Sequence, residues 1–494
     1  MIIGAPEPSA VPGGPLHNTA SILYKGKIAG RYRKINLPNY GVFDEKRYFT
    51  SGSLPLVVNF GDIPVGISIC EDVWVDDGPT GIQCGIGRAE IIINISASPY
   101  HRRKGPDREK LMQRRARENN TWLCYLNLLG GQDELVFDGS SVVIDPGGKT
   151  ILRGAPFRED LIITDIRLVP KHVISTEIPG GLLETIDLPA LPAGKGIRLP
   201  ARKKIDHLSP NEEIYEALVM GTRDYVDKNG FERVIIGLSG GIDSALTAAV
   251  AVDALGPDRV SGMTMPSGYT ASSTLKDAHR LAANLGIKIH ELPVGSVYNA
   301  YRDLLADIIP KGPIGITEEN LQARVRGNLL MALSNKFGHL VLTTGNKSEI
   351  AVGYCTLYGD MAGGFGVLKD VPKTMVFSLS RYRNRKAGRA MIPSSTIRRK
   401  PSAELRPGQL DEDSLPPYSV LDRIIEMYVE KDMSLSRIIS EGLDPVIVEK
   451  MIRLIDRNEY KRRQGPPGVK ITPKAFGRDR RLPITNRYRP AWKA

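Results

Sequence analysis

Short apolar runs separated by turn residues mark the first 175 residues of the chain. These runs are rich in β-branched and aromatic residues, and helical stretches lie between them. The alternation is typical of a layered α/β domain, which we predict over residues 1–175. The predicted strands are residues 56–60, 65–69, 91–95, 121–126 and 141–144.

A different pattern begins after this region. Residues 176–205 are rich in proline and glycine and have few apolar residues in register, which predicts a linker. Over residues 206–494, a helical pattern at 214–226 comes first, and strand-like runs starting at Val234, Val260 and Leu340 then alternate with helices. This order predicts a second α/β domain built on a doubly wound parallel sheet.

Length and composition restrict the class of protein. A chain of 494 residues is expected to hold two or more domains. It has no apolar run near 20 residues and no charged-then-apolar leader, so we expect no membrane span, no secretion signal and a cytoplasmic location. The four cysteines lack the paired spacing of a zinc site, and we expect at most one of them to carry chemistry.

The net charge of +12 is concentrated at the C-terminus. Residues 461–494 contain 11 Lys and Arg against the single Asp479, and several prolines, so they are expected to form an extended basic arm. Such an arm can bind nucleic acid, hold a polyanionic small substrate, or be a solvated end that joins subunits. The sequence alone leaves these three interpretations open.

A glycine-rich turn follows the strand-like run at Val234 and precedes a helical run. Its glycines allow backbone amides to approach an anion at the start of the helix. The turn lacks the P-loop lysine and resembles instead the SGGxDS loop of the ATP pyrophosphatase family. By this resemblance Asp243 is expected to hold Mg²⁺. Glu349 lies among the polar residues that follow the strand-like run at Leu340, and we expect it to complete a two-carboxylate magnesium site with Asp243. The expected ATP-binding loop is Gly237, Leu238, Ser239, Gly240, Gly241, Ile242, Asp243 and Ser244.

Further motifs over residues 206–494 resemble the NAD synthetase family. They are ENLQAR from Glu319, NKSEIAVGY from Asn346, TLYGDMAGGF from Thr356, KDVPK from Lys369 and YKRRQ from Tyr460. The family uses ATP to join ammonia to the nicotinate carboxylate of deamido-NAD. The resemblance implies ATP contacts from Thr344, Lys373 and Ser402, and deamido-NAD contacts from Asn320, Arg324, Glu349, Asp360 and Lys461.

The N-terminal region contains a cysteine, Cys70, at the end of an apolar strand-like run. A lone cysteine of this kind is more often a core residue than a nucleophile. Three runs nevertheless resemble the nitrilase-type amidase family: RYRKINLPNYGVFDEKRY from Arg31, GISICEDVW from Gly66 and NISASPYHRRK from Asn94. The resemblance implies Cys70 and Lys34 as catalytic residues, and Tyr40, Ser98 and Lys104 as the residues that hold glutamine.

Comparison with the amidase pattern leaves one role unassigned. The family's first strand, first helix and base Glu precede a segment like that at Ile2, so we expect this domain to lack them. Neither Glu7 nor Glu71 matches the position of the base, and glutamine use by residues 1–494 alone is expected to be weak.

The sequence predicts an NAD synthetase that takes nitrogen from glutamine or free ammonia and works as a homo-oligomer. One alternative is an ammonia-only NAD synthetase with an inert amidase domain. A second is an RNA-binding or tRNA-modifying relative, because of the basic arm. The chain lacks an RNA-recognition pattern with interleaved aromatics, so we expect no nucleic-acid partner.

Overall fold

A computed structural model describes residues 1–9, 11, 13–168, 181–190, 205–309 and 315–488. The chain forms two compact units. The first comprises Met1–Gly130 and Phe137–Leu208, and the second comprises Gly131–Val136 and Ser209–Ala494. None of the helices in the described ranges has the length and hydrophobicity needed to span a bilayer.

Among the described residues up to residue 208, strands outnumber helices. The strands are Ile2–Glu7 (β1), His17–Tyr24 (β2), Lys27–Arg33 (β3), Leu56–Phe60 (β4), Ile63–Ile69 (β5), Ile91–Ser96 (β6), Trp122–Asn127 (β7), Leu129–Gln132 (β8), Leu135–Asp138 (β9), Val142–Ile144 (β10), Thr150–Arg153 (β11) and Glu184–Leu188 (β12). The α-helices are Pro79–Gly85 (α1) and Lys104–Glu118 (α2), and short 3₁₀ turns cover Glu45–Arg47 and Cys70–Val73.

Two sheets contain ten of these strands, and β8 and β9 form a separate two-stranded sheet. Seven strands follow the order β11-β10-β7-β6-β5-β4-β12, with β5, β6 and β7 parallel, and three antiparallel strands follow the order β1-β2-β3. Leu56 and Val58 pack with Ala20 and Ile22 of the smaller sheet, whereas Val57 packs on the helix side with Met112 and other residues. Alternate residues of one strand therefore serve the two faces of the large sheet.

The predicted linker contains a strand. β12 pairs in parallel with β4 along the edge of the large sheet, and Asn59 donates a hydrogen bond of 2.7 Å to Asp187 across this pair. The segment 181–190 therefore belongs to the first unit, while the rest of 176–205 lies outside the described residues except residue 205. The boundaries 1–175, 176–205 and 206–494 stay a prediction.

The second unit surrounds a five-stranded parallel sheet. Its strands are Val234–Gly237 (β13), Val260–Thr264 (β14), Lys288–Glu291 (β15), Leu340–Thr343 (β16) and Phe365–Gly366 (β17). The order is β15-β14-β13-β16-β17, so the direction of winding changes between β13 and β16. Ligands of doubly wound sheets bind at such a switch point, next to the carboxyl ends of the strands.

Helices account for most of the remaining second unit. They are Pro210–Lys228 (α3), Ile242–Leu255 (α4), Ser272–Leu285 (α5), Gly295–Leu304 (α6), Ile316–Phe337 (α7), Lys347–Val352 (α8), Lys373–Ala387 (α9), Ser394–Arg398 (α10), Tyr418–Ile425 (α11), Leu435–Ser440 (α12), Pro445–Arg457 (α13) and Glu459–Arg462 (α14). A separate apolar cluster joins α8, α11, α12 and α13.

The basic arm is partly packed. After α14, which ends at Arg462, the described residues of the arm form no helix, as expected. Val469, Ile471 and Thr472 of the arm are nevertheless fully buried. The backbone amides of Ile471 and Thr472 donate to the carboxylate of Asp370, at 2.8 and 2.7 Å. The interpretation of the arm as a solvated end is therefore wrong for this part of it, and residues 489–494 lie outside the described residues.

Candidate active sites

Cys70 occupies a strained turn at the carboxyl end of β5. It is the first residue of the 3₁₀ turn Cys70–Val73, its φ is +45°, and it is 7% exposed. A left-handed backbone costs a residue with a side chain about 1–2 kcal/mol. Strain of this kind is found where a side chain has to be presented in one direction.

Lys34 lies directly after β3 and is paired with a carboxylate that sequence reasoning missed. Its ammonium contacts both carboxylate oxygens of Glu45, at 2.7 and 2.8 Å, and its side chain is 1% exposed. Glu45 belongs to the motif that suggested the amidase family. Its role could not be assigned from spacing, because only the fold of the loop after β3 brings it back to Lys34.

The charges around Cys70 act on its thiol. Burial raises the pKa of Cys70, the positive charges of Lys34 and Lys104 lower it, and the negative charges of Glu71 and Glu45 raise it again. The net direction is upward, so the resting thiol is protonated at neutral pH. Formation of the nucleophilic thiolate therefore needs a group that accepts the proton.

Of the three residues expected to hold glutamine, Tyr40 lies in the loop after β3, Ser98 lies in the loop after β6, and Lys104 is the first residue of α2. The Tyr40 hydroxyl donates to Glu71 at 2.8 Å, and the Lys104 ammonium donates to the carbonyl of Pro99 at 2.7 Å. Ser98 is buried two residues beyond the end of β6, the strand next to the one that ends at Cys70. These positions are compatible with a glutamine pocket, and the roles stay predictions.

Glu7, which the sequence did not match to the base, has another partner. Its carboxylate accepts hydrogen bonds from the Arg33 guanidinium at 2.9 and 3.0 Å. These hydrogen bonds outweigh the effect of burial and lower the pKa of Glu7. A carboxylate stabilised as an anion in this way is a poor proton acceptor, which agrees with leaving it unassigned.

The predicted phosphate-binding loop of the second unit lies at the switch point of the sheet. It follows β13 and leads into α4, where Gly241 precedes the first helical residue and Gly240 has a φ of +80°. The Ser239 hydroxyl accepts from the amide of Gly241 at 3.2 Å and lies 3.2 Å from the Ser244 hydroxyl. The amino end of α4 therefore presents amides and hydroxyls suited to a phosphate.

Residues from other elements fix the loop. The Arg399 guanidinium donates to the carbonyl of Gly240 at 3.1 Å and is paired with Asp277 at 2.5 Å. A Cβ atom built on Gly240 would lie 2.2 Å from the carbonyl oxygen of Thr274. Arg399 is a residue that sequence reasoning missed, because the contact depends on how α10 packs beside the loop.

Two carboxylates beside the loop converge on one lysine. The Lys373 ammonium lies 2.5 Å from Asp243 and 3.0 Å from Glu349, and Asn346 donates to the other oxygen of Asp243 at 2.9 Å. Burial raises the pKa of Glu349 to about 8, Lys373 opposes this shift, and Asp243 adds to it. Burial alone would lower the pKa of Lys373, but the carboxylates outweigh it and raise the pKa.

This geometry fits a magnesium ion. The carboxylate oxygens of Asp243 and Glu349 both face the position of the Lys373 ammonium, where a positive charge is stabilised. The two carboxylate side chains are 17 to 18% exposed, which leaves room for water ligands. Within the described residues no group of three or more His, Cys, Asp or Glu forms a metal site. Mg²⁺ commonly takes one or two carboxylates and completes its shell with waters and phosphate oxygens.

The residues expected to bind deamido-NAD surround the segment from Gly353 to Asp360. Asn320 accepts from the Thr356 hydroxyl at 2.7 Å, and Asp360 accepts from the Thr356 amide at 2.6 Å. Arg324 donates to the Leu357 carbonyl at 3.3 Å.

Lys461 donates to the carbonyls of Gly353 and Cys355, at 2.8 and 2.9 Å. Four of the five predicted residues thus contact one loop, whereas Glu349 contacts Lys373.

The other predicted ATP contacts lie farther along the chain. Thr344 follows β16 directly, at the carboxyl end of a central strand. Ser402 lies in the loop after α10, where its hydroxyl donates to the carbonyl of Gln409 at 2.5 Å and accepts from the amide of Glu404 at 3.1 Å. Contact of either residue with ATP stays a prediction.

Sequence families cover both units. Residues 1–169 match the carbon-nitrogen hydrolase family, and residues 214–465 match the NAD synthase family. A glutamine-dependent NAD(+) synthetase from Thermotoga maritima is 47% identical over 483 residues, which cover 96% of this chain and 83% of that protein. One from Aquifex aeolicus is 45% identical over 481 residues, covering 96% of this chain and 84% of that protein.

This chain belongs to the glutamine-dependent NAD(+) synthetase family. The structure of the family member from Acinetobacter baumannii in complex with adenosine diphosphate has a TM-score of 0.71 and 42% identity, and the match covers 98% of this chain and 84% of that one. The predicted family and α/β fold class, with a nitrilase-like and an NAD synthetase domain, are confirmed. The chain is an enzyme, a ligase that forms carbon–nitrogen bonds, and its family uses ATP.

Proposed function

We propose that this chain makes NAD from deamido-NAD, with ATP as the activating substrate and glutamine as the nitrogen donor. The observation that carries the proposal is the presence, in one chain, of two sets of reactive groups. One set is Cys70 with Lys34 and Glu45, and the other is the Gly240 loop with the cluster around Lys373. Each set supports one half of the overall reaction.

The first half is hydrolysis of the glutamine amide. The Cys70 sulfur attacks the amide carbon, and the Lys34 ammonium stabilises the oxyanion of the tetrahedral intermediate. Ammonia leaves, and water then hydrolyses the glutamyl thioester to release glutamate. Deprotonation of the thiol needs a proton acceptor, the role that the amidase pattern left unassigned, whereas Glu45 holds the ammonium of Lys34 in place. Tyr40, Ser98 and Lys104 orient the glutamine.

The second half is activation and amidation of the nicotinate carboxylate. A carboxylate oxygen attacks the α-phosphorus of ATP, which yields an adenylate and pyrophosphate. Ammonia then attacks the carbonyl carbon and displaces AMP. The Gly240 loop binds phosphate oxygens through the amides that begin α4, and Lys373 neutralises the departing pyrophosphate. Asn320, Arg324, Asp360 and Lys461 hold the dinucleotide.

Asp243 and Glu349 are the residues that would hold a magnesium ion in this site. Such an ion supplies positive charge to the phosphate oxygens and screens the charge that develops during the reaction. The two carboxylates already converge on the ammonium of Lys373. Lys373, held by the same two carboxylates, would balance part of the charge of the pyrophosphate.

The test is NAD formation with each nitrogen donor at saturating ATP and deamido-NAD. C70A should abolish the glutamine-supported rate and leave the ammonium-supported rate within a factor of two. C84A is the matched control, because Cys84 lies on α1 and takes no part in the proposed chemistry. The proposal fails if C70A retains glutamine use, or if wild-type protein forms no NAD from glutamine.

Two expectations about partners accompany this proposal. We expect a homo-oligomer, which light scattering coupled to gel filtration would measure. We expect no nucleic-acid partner, and a filter-binding assay that compares RNA with deamido-NAD would test this. RNA retention at physiological salt without binding of deamido-NAD would favour the RNA-binding alternative.

A further inference from the structure

Asp72 is a fully buried carboxylate, two residues beyond Cys70. Its side chain accepts four hydrogen bonds, two at each oxygen. One oxygen accepts from the Asn36 backbone amide at 2.8 Å and from the Asn36 side-chain amide at 3.1 Å. The other accepts from the Tyr32 hydroxyl at 2.7 Å and from the Ile69 amide at 3.2 Å.

These four donors lie in the two segments that carry the reactive groups. Tyr32 is two residues before Lys34 and Asn36 is two residues after it, while Ile69 immediately precedes Cys70. The Asp72 carboxylate therefore joins the end of β3 to the strained turn after β5. A group that only filled space in the core would not need to join these two segments.

We propose that Asp72 is a positioning residue for amide hydrolysis, which sets the separation of Lys34 and Cys70 and maintains the left-handed backbone of Cys70. This inference rests on the proposed glutamine hydrolysis at Cys70. It assigns no contact with substrate to Asp72, whose oxygens are already occupied by donors from the protein.

The pattern of donors makes the ionised carboxylate hard to replace. In D72N one oxygen becomes an NH₂ group, which faces either the two amides of Asn36 or the Ile69 amide together with the Tyr32 hydroxyl. In both orientations an N–H group faces another N–H group, so the turn has to move. Y32F removes one of the four donors and leaves the other three, and should have a smaller effect.

The experiment uses the full-length chain and measures two independent quantities. The first is the glutamine-supported rate relative to the ammonium-supported rate. The second is the pH dependence of Cys70 alkylation by iodoacetamide, with the modified cysteine identified by mass spectrometry. D76N is the control, because the Asp76 side chain lies four residues farther along and is 78% exposed.

D72N should lower the glutamine-supported kcat by about 10²-fold with little change in KM, because misplacement of reactive groups by about 1 Å has this effect. The ammonium-supported rate should stay unchanged. Because Lys34 lowers the pKa of Cys70, its displacement should move the midpoint of alkylation to higher pH. Y32F should shift both quantities in the same direction by less, and D76N should match wild type.

The inference is overturned if D72N keeps the wild-type glutamine rate, or if the rate falls while the alkylation midpoint stays in place. Should D72N fail to fold, as judged by fluorescence of Trp74 and Trp122 in the first unit, Y32F decides: no shift in its alkylation midpoint refutes the inference. Failure of the proposed function is separable, because wild-type protein would then lack glutamine use while the alkylation profile still tests Asp72.

Discussion

Substitution of Gly240 by alanine is the sharpest test of the phosphate-binding loop. The φ of Gly240 is +80°, which a residue with a side chain adopts at a cost of about 1–2 kcal/mol. The added Cβ would also lie 2.2 Å from the carbonyl oxygen and 2.8 Å from the Cγ2 atom of Thr274. A backbone atom cannot be moved by a change of rotamer, so the loop or the start of α5 has to shift.

The two effects give the expected magnitude. Overpacking of a dense region costs about 1–3 kcal/mol, and together with the backbone strain this gives about 2–5 kcal/mol for the native loop. A loop that relieves this strain by moving no longer presents its amides to phosphate. We therefore expect G240A to lower kcat/KM for ATP by about 10²-fold or more, since each 1.4 kcal/mol corresponds to a factor of ten.

The assay is pyrophosphate release with ammonium as nitrogen donor, so that the first half-reaction is bypassed. G256A is the matched control, because Gly256 ends the same helix with a φ of +83° and a Cβ there would meet nothing within 4 Å. G256A should lose stability in urea and keep its kcat/KM for ATP. Equal ATP kinetics in the two variants would refute the assignment of the loop.

Three further predictions concern Asp243, Lys461 and Glu109. D243N should abolish pyrophosphate release from ATP and deamido-NAD without unfolding the chain, and wild-type release would contradict the site. K461A should raise the Michaelis constant for deamido-NAD far more than that for ATP, whereas equal changes would argue against its role. Burial would raise the pKa of Glu109, but its hydrogen bonds with His207 and Arg153 outweigh burial and lower the pKa to about 2. Glu109 should therefore stabilise the fold above pH 4.5, and this contribution should be lost as the pH falls to about 2, so the difference in urea stability between wild type and E109Q should shrink over that range.

Five strands of the large sheet, β4 to β7 and β10, were predictable because each has its own run of apolar residues. Residues 56–60 were predicted as a strand and form β4, Leu56–Phe60. The strand predicted from residue 121 begins instead at Trp122, because the amide of Thr121 donates to Ala116 at the end of α2 and its hydroxyl donates to Ala89. The backbone amide of Thr121 thus completes the end of α2, while its hydroxyl bonds to the segment before β6, and strand propensity predicts neither contact.

Features that depend on distant pairing were not predictable. β12 forms only because its residues pair with β4, more than 120 residues earlier in the chain. The partly polar strands β1 to β3 have one solvated face and gave no clear apolar run. The contact between Lys34 and Glu45 requires the loop after β3 to fold back, and sequence spacing contains no signal for that return.

Dependence on contacts between distant residues also explains why the predicted phosphate-binding loop was recognisable from its own residues while the strained turn at Cys70 was not. Both have a left-handed residue just after a buried strand, with φ of +80° at Gly240 and +45° at Cys70. The loop needs only backbone amides at its strained position, so glycine can relieve the strain and marks the turn in the sequence. The role proposed for Cys70 needs a thiol at this position, which excludes glycine, so other contacts have to maintain the strain. The Asp72 carboxylate makes such contacts on both sides of the turn, and the sequence, which showed acidic residues after Cys70, did not indicate that one of them is buried there.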